Sequence, residues 1–80
     1  MARSYFDAWG VRRTDHREEI RTMRCRAIQP ETPGIDRLCL NMAADLLQMH
    51  DETGICLDEW SHAKLFVEHF TGSPVLPNGV

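Results

Sequence analysis

Between Pro33 and Glu52 apolar residues return every three or four positions. Ile35, Leu38, Cys39, Met42, Ala43, Leu46 and Met49 fall on one side of a helix, and Arg37, Asn41, Asp45, Gln48 and Glu52 on the other. This is the period of a buried helical stripe backed by a hydrated face. The ends are marked as well. Thr32 suits the N-cap, Pro33 the first helical position and Asp36 the positive end of the dipole, and Thr53-Gly54 supplies the stop. Leu40, Ala44 and Leu47 add a second apolar row to the same helix. An arc that wide needs cover on two sides, from the next helix and from either the N-terminal segment or a second copy of the chain. Leu40, Ala44 and Leu47 are therefore the expected oligomer contact, in a homodimer.

A second helix is expected over Asp58 to Phe70. Asp58 can cap it, Glu59 sits in its first turn, and Trp60, Ala63, Val67 and Phe70 form one stripe. Gly72 and Pro74 close it. The short link Ile55-Cys56-Leu57 is apolar and should tuck under an antiparallel pair of helices. Upstream, residues 14–28 are rich in helix formers, and Ile20, Met23 and Ala27 share a helical face. Met23 to Ala27 also alternates with the period of a strand, but Ile20 and Ile28 fall on the wrong parity, so the pattern favours a helix. Ser4 to Val11 is apolar enough to pack as a short helix or an edge strand. The expected fold is mainly α: one domain over 1–72, with a C-terminal antiparallel helical hairpin packed on an N-terminal arginine-rich helix. The alternative is an α+β chain with a short N-terminal hairpin or sheet. Pro74, Pro77 and Asn78-Gly79 lead to the expectation of a flexible tail at 73–80.

Composition adds bounds. Eighty residues, 42% hydrophobic and 26% charged, suit one globular domain. The apolar runs are too short to span a bilayer, and the first residues lack the apolar core of a signal peptide, so a cytoplasmic chain with no membrane contact is expected. Cys25, Cys39 and Cys56 make a poor disulfide framework and fit a reducing compartment.

The net charge of −3 conceals two opposed halves. Residues 1–30 carry seven arginines against four carboxylates, whereas residues 31–80 carry Arg37 and Lys64 against eight. Such halves can dock on each other or face partners of opposite sign.

No chemical signature stands out of this pattern. The spacing His50-x5-Cys56-x5-His62-x6-His69 contains no close ligand pair, so neither a metal nor any other cofactor is expected. His62 and His69 are two helical turns apart, roughly 10 Å, too far to share an ion. Cys56, near His50, Asp51 and His62, is the one thiol with bases around it, but a domain this small offers little room for a pocket, and no catalytic residue is assigned. Asp51-Glu52-Thr53-Gly54 fails as a calcium loop because its glycine is fourth rather than sixth and Ile55 takes a ligand position. A helix-turn-helix reading fails on charge, since the 58–70 helix offers a groove Glu59, Glu68 and only one lysine.

Two binding readings are left. Asp45, Asp51, Glu52, Asp58 and Glu59 gather near Trp60, and carboxylates around an aromatic make a workable docking patch for a basic protein surface. The leading expectation is thus a small non-enzymatic protein-interaction module, such as a phage or mobile-element inhibitor of the anti-CRISPR kind that binds a nucleic-acid-handling host protein. The alternative is a nucleic-acid-associated regulator whose Arg12, Arg13, Arg17, Arg21 and Arg24 contact phosphates.

Overall fold

The computed structural model of the chain describes residues 2–54, 57 and 60–78. It is mainly helical, with a small antiparallel sheet in front: β1 (Arg3–Phe6), β2 (Arg12–Asp15), α1 (Arg17–Ala27), α2 (Gly34–Thr53) and α3 (Ser61–Thr71). The mainly α expectation and its hairpin alternative are both present, the hairpin occupying the first fifteen residues and the arginine-rich helix following it.

The hairpin is made by its turn. The Gly10 N–H donates to the Asp7 carbonyl and the Asp7 N–H to the Val11 carbonyl, each at 3.0 Å. Gly10 has φ +75°, the left-handed residue with which a three-residue hairpin loop re-enters its second strand. The Asp7 carboxylate accepts from the N–H groups of Trp9 (2.9 Å) and Val11 (3.0 Å), fixing the loop from inside. This sets the register, with Arg3 opposite Asp15 and Phe6 opposite Arg12.

α1 carries Glu18 and Glu19 in its first turn and Arg24 and Arg26 in its last, the charge order that suits the helix dipole. The Met23 and Ala27 of its apolar face are fully buried, and Ile20 packs against the same cluster. After Ile28 the chain turns through 29–33 and returns as α2. Thr32 does not cap α2: its hydroxyl donates to the Arg26 carbonyl, and Pro33 takes the N-cap position with no side-chain cap. Gly54, at φ +74°, closes α2 as expected, and Gly72 closes α3 in the same left-handed conformation.

α2 turns toward the core the row that periodicity ranked second. Leu40, Ala43, Ala44 and Leu47 are fully buried, together with Met23 and Ala27 of α1 and Val67 of α3. Leu40, Ala44 and Leu47 are therefore covered within the chain and are not an oligomer contact. The physical reason is that α1 and α3 both pack on this side of α2, α1 the more extensively. Of the expected core stripe Ala43 is buried and Cys39 and Leu46 are half-buried, whereas Ile35, Leu38, Met42 and Met49 face outward.

α3 starts later than expected, with Trp60 at its N-cap; Asp58, Glu59, Ile55 and Cys56 lie outside the described residues. Leu57 is buried, as an apolar link should be. Residues 73–78, expected to be free, lie against the domain instead: Val75 enters the core, and its N–H donates to Glu68 at 3.3 Å.

Candidate functional site

The hairpin, the end of α2 and the C-terminal segment meet in a buried polar clamp centred on Asp51. Its Oδ1 accepts from the Thr14 hydroxyl and from His16 Nδ1, and its Oδ2 from the His16 N–H, all at 2.7 Å. Thr14 and His16 leave β2 and enter α1, so one carboxylate of α2 holds both ends of that junction. One residue earlier, the buried His50 ring donates from Nε2 to the Leu76 carbonyl at 2.9 Å. The Asn78 amide donates to the His50 carbonyl, and its Oδ1 lies 3.1 Å from the Thr14 hydroxyl. The two imidazole rings are 6.1 Å apart, centroid to centroid.

An aspartate fixing Nδ1–H of a histidine is half of a hydrolytic triad. Among the described residues no nucleophile is hydrogen-bonded to this ring. His16 Nε2 is buried and has no hydrogen-bond partner among the described residues, and the ring is closed to solvent. A base that neither a nucleophile nor a substrate reaches does structural work. Facing an acceptor-only carboxylate, Nδ1 carries a hydrogen and donates it to Asp51. No group of three His, Cys, Asp or Glu side chains converges to hold a metal among the described residues.

Three carboxylates of the expected acidic patch are described, and each is engaged within the chain. Asp51 is engaged in the clamp. Asp45 pairs with Arg24 at 2.7 Å, and Glu52 accepts from the Gln48 amide at 3.0 Å. Asp58 and Glu59 lie outside the described residues, while Trp60 is half exposed. The arginines proposed for phosphates are likewise occupied. Arg12 donates to the Pro77 carbonyl at 3.2 Å, Arg13 to Asp7 at 3.2 Å, and Arg24 to Asp45 and Gln48. Arg17 grips both oxygens of Asp15, at 2.8 to 3.1 Å. That grip, with the Arg17 N–H, holds the Asp15 carboxyl down at about 2. Asp7 is also lowered, first by the Val11 N–H and then by Arg13 and the Trp9 N–H. Arg21 alone of the five has no hydrogen-bond partner among the described residues. It lines an open groove between the hairpin and α1 in which four arginines face four carboxylates, leaving no strong basic field.

What the fold exposes is apolar. At the hairpin tip Phe6 is 73% and Trp9 89% exposed, beside half-exposed Tyr5 and Val11. The turn signal Asp7-x-x-Gly10 announces this tip; four-residue strands as polar as these give no periodicity of their own. The clamp has a weaker signal, because the meeting of Thr14, His16, Asp51 and Asn78 is set by tertiary contacts. Among known proteins, no family model, no curated protein and no solved structure matches this chain.

Proposed function

We propose that this chain is a small non-enzymatic binding module, an inhibitor or adaptor, that docks on a protein partner through the aromatic tip of its hairpin. The observation that carries this reading is the exposure of Phe6 and Trp9 on a turn fixed by the Asp7 carboxylate and Gly10. A tryptophan left in water by its own fold, on a loop that is already ordered, loses little entropy on docking and gains a large buried area. Tryptophan, tyrosine and arginine are also the residues that carry most interface energy. Arg12, next to this tip in the strand register, supplies a charged neighbour.

A second reading is favoured by Tyr5 and Arg21 in one groove, the arginine having no hydrogen-bond partner among the described residues: aromatic rings and a guanidinium also suit single-stranded nucleic acid. A photo-crosslinking amino acid placed at position 9 in the producing cell separates the two. Protein adducts that survive nuclease, and that compete with untagged wild-type chain but not with a Phe6→Ser, Trp9→Ser chain, support the docking module. Nucleic-acid adducts support the second reading. Adducts that the doubly substituted chain competes away as well as wild type refute the role of the tip.

A further inference from the structure

Residues 73–78 cross the end of α2 with no helical or strand pairing of their own and bridge three elements. On the helical side Val75 enters the core, its N–H donates to Glu68 of α3 at 3.3 Å, and His50 of α2 donates to the Leu76 carbonyl at 2.9 Å. On the hairpin side Arg12 donates to the Pro77 carbonyl at 3.2 Å. The Asn78 amide, bonded to the His50 carbonyl, sets its oxygen 3.1 Å from the Thr14 hydroxyl. Pro74 and Pro77 have no N–H to give, so the segment offers mainly carbonyls, and the elements around it supply the donors. Among its described residues Val75 alone is buried. Gly72, at φ +70° with open space around it, is the joint that precedes it.

The hairpin has a narrow hold on the helices otherwise. All of β1 is exposed, and its ion pair to α1, Arg3 to Glu18, spans 3.8 Å between exposed side chains. Asp51 and Arg17 grip β2 only at its end, through Thr14, Asp15 and His16. A ribbon gripped at one end pivots there. Arg12 lies two residues nearer the tip than Thr14, roughly 7 Å along the strand, and its side chain leaves the same face. A second fixed point at that distance stops the pivot, and the C-terminal segment provides it. We infer that residues 73–78 form a releasable strap that braces the hairpin. Seated, the strap holds the aromatic tip at a fixed angle; peeled back at Gly72, it leaves the hairpin to swing on the Asp51 clamp. Such a local opening costs far less than unfolding, because it exposes one valine and melts no helix. The strap's use rests on the docking role of the tip, since a braced tip loses less entropy on binding.

Native-state hydrogen exchange of the whole chain, followed amide by amide, tests the brace with no partner present, so its outcome is independent of whether the tip docks. A two-stranded ribbon alone is marginal in water, so an unbraced hairpin also loses protection of its ladder amides. Asn78→Ala changes the strap alone and Arg12→Ala the hairpin alone; both residues are partly exposed, and unchanged helical circular dichroism is expected. Asn78→Ala should speed exchange of the Val75 N–H and of the β1–β2 ladder amides together, by about three- to tenfold, the change one lost hydrogen bond makes in an opening equilibrium. Arg12→Ala should speed the Val75 N–H by a similar factor, because coupling between two segments is reciprocal. Amides in the middle of α2 should keep their wild-type rates in both variants. Ladder amides unmoved by Asn78→Ala, or a Val75 N–H unmoved by Arg12→Ala, overturn the inference. So does a wild-type Val75 N–H that exchanges as slowly as the middle of α2, since the strap then opens only when the whole chain unfolds.

Discussion

Replacing Asp51 with alanine is the sharpest probe of how this fold is held. The substitution removes one acceptor group and strands three donors: the Thr14 hydroxyl, the His16 N–H and His16 Nδ1–H, each at 2.7 Å in the native chain. Hydrogen bonds to a charged acceptor contribute about 1.5–3 kcal/mol apiece, but three on one carboxylate are not additive. Leaving a buried donor unsatisfied costs about 1–3 kcal/mol, so three donors that are almost fully buried, discounted for their shared acceptor, cost about 3–5 kcal/mol. A chain of this length is stable by roughly 4–12 kcal/mol, so the loss is a large share of the total. At about 4–8 °C per kcal/mol the melting temperature falls by about 12–40 °C. Thermal and urea unfolding followed by circular dichroism at 222 nm measure it. Asp51→Asn keeps the shape and one acceptor, and is expected to lose about 1–3 kcal/mol. It also forces a second change: an amide nitrogen facing Nδ1 pushes the proton of His16 to Nε2, which nitrogen-15 spectra of the ring report directly. If Asp51→Ala melts within about 3 °C of wild type, or if His16 already carries its proton on Nε2, the clamp does not hold the junction of β2 and α1.

Other expectations follow from the same geometry. The Asp15 carboxyl, lowered from 3.8 to about 2 by Arg17, is ionised when folded over a wider range than when unfolded. Its contribution is fully present above pH 4 and is lost as pH falls through about 2; carbon-13 titration of Asp15 should show that midpoint, and Arg17→Ala should move it up. Gly10→Ala meets no neighbouring atom but must hold φ +75°, so it should cost about 1–2 kcal/mol by urea unfolding, with altered amide shifts confined to the hairpin. Leu47→Ala, in the core, should cost about 2–5 kcal/mol, whereas Leu38→Ala, on the outer face, should cost under about 1 kcal/mol. Ending the chain at Gly72 removes Val75 from the core and two partners of His50, and should lower the urea midpoint measurably.

Much of this architecture is legible in the residues. Strong period carries α2, glycine chemistry carries the ends of α2 and α3, and Ile20, Met23 and Ala27 carry the face of α1. The hairpin stood only as the alternative fold, with Ser4 to Val11 open between a helix and an edge strand, because two strands of four mostly polar residues bury little and show no alternation; its local signal is the turn Asp7-x-x-Gly10. The tail misleads for a related reason. Pro74, Pro77 and Asn78 read as a mobile end, yet one valine and two polar contacts to His50 anchor it, and none of these has a local pattern. The acidic patch shows the limit of counting charges. Asp45 and Asp51 look like surface in sequence, and each is taken up by a cation or a donor that lies more than twenty residues away.

The inverted face of α2 is the most instructive of these, because period alone could not rank two apolar stripes on one helix. Side-chain size could have done so. The inner row alternates large and small, Leu40, Ala43, Ala44 and Leu47, and the two alanines let α1 and α3 approach the α2 backbone closely. The outward-facing row is Ile35, Leu38, Met42 and Met49, all bulky, with half-buried Cys39 and Leu46 at its edge. Two helices share the inner side, so that side needs the small residues. Size thus sorts what period cannot: the side of α2 that holds the two alanines is the side that builds the domain.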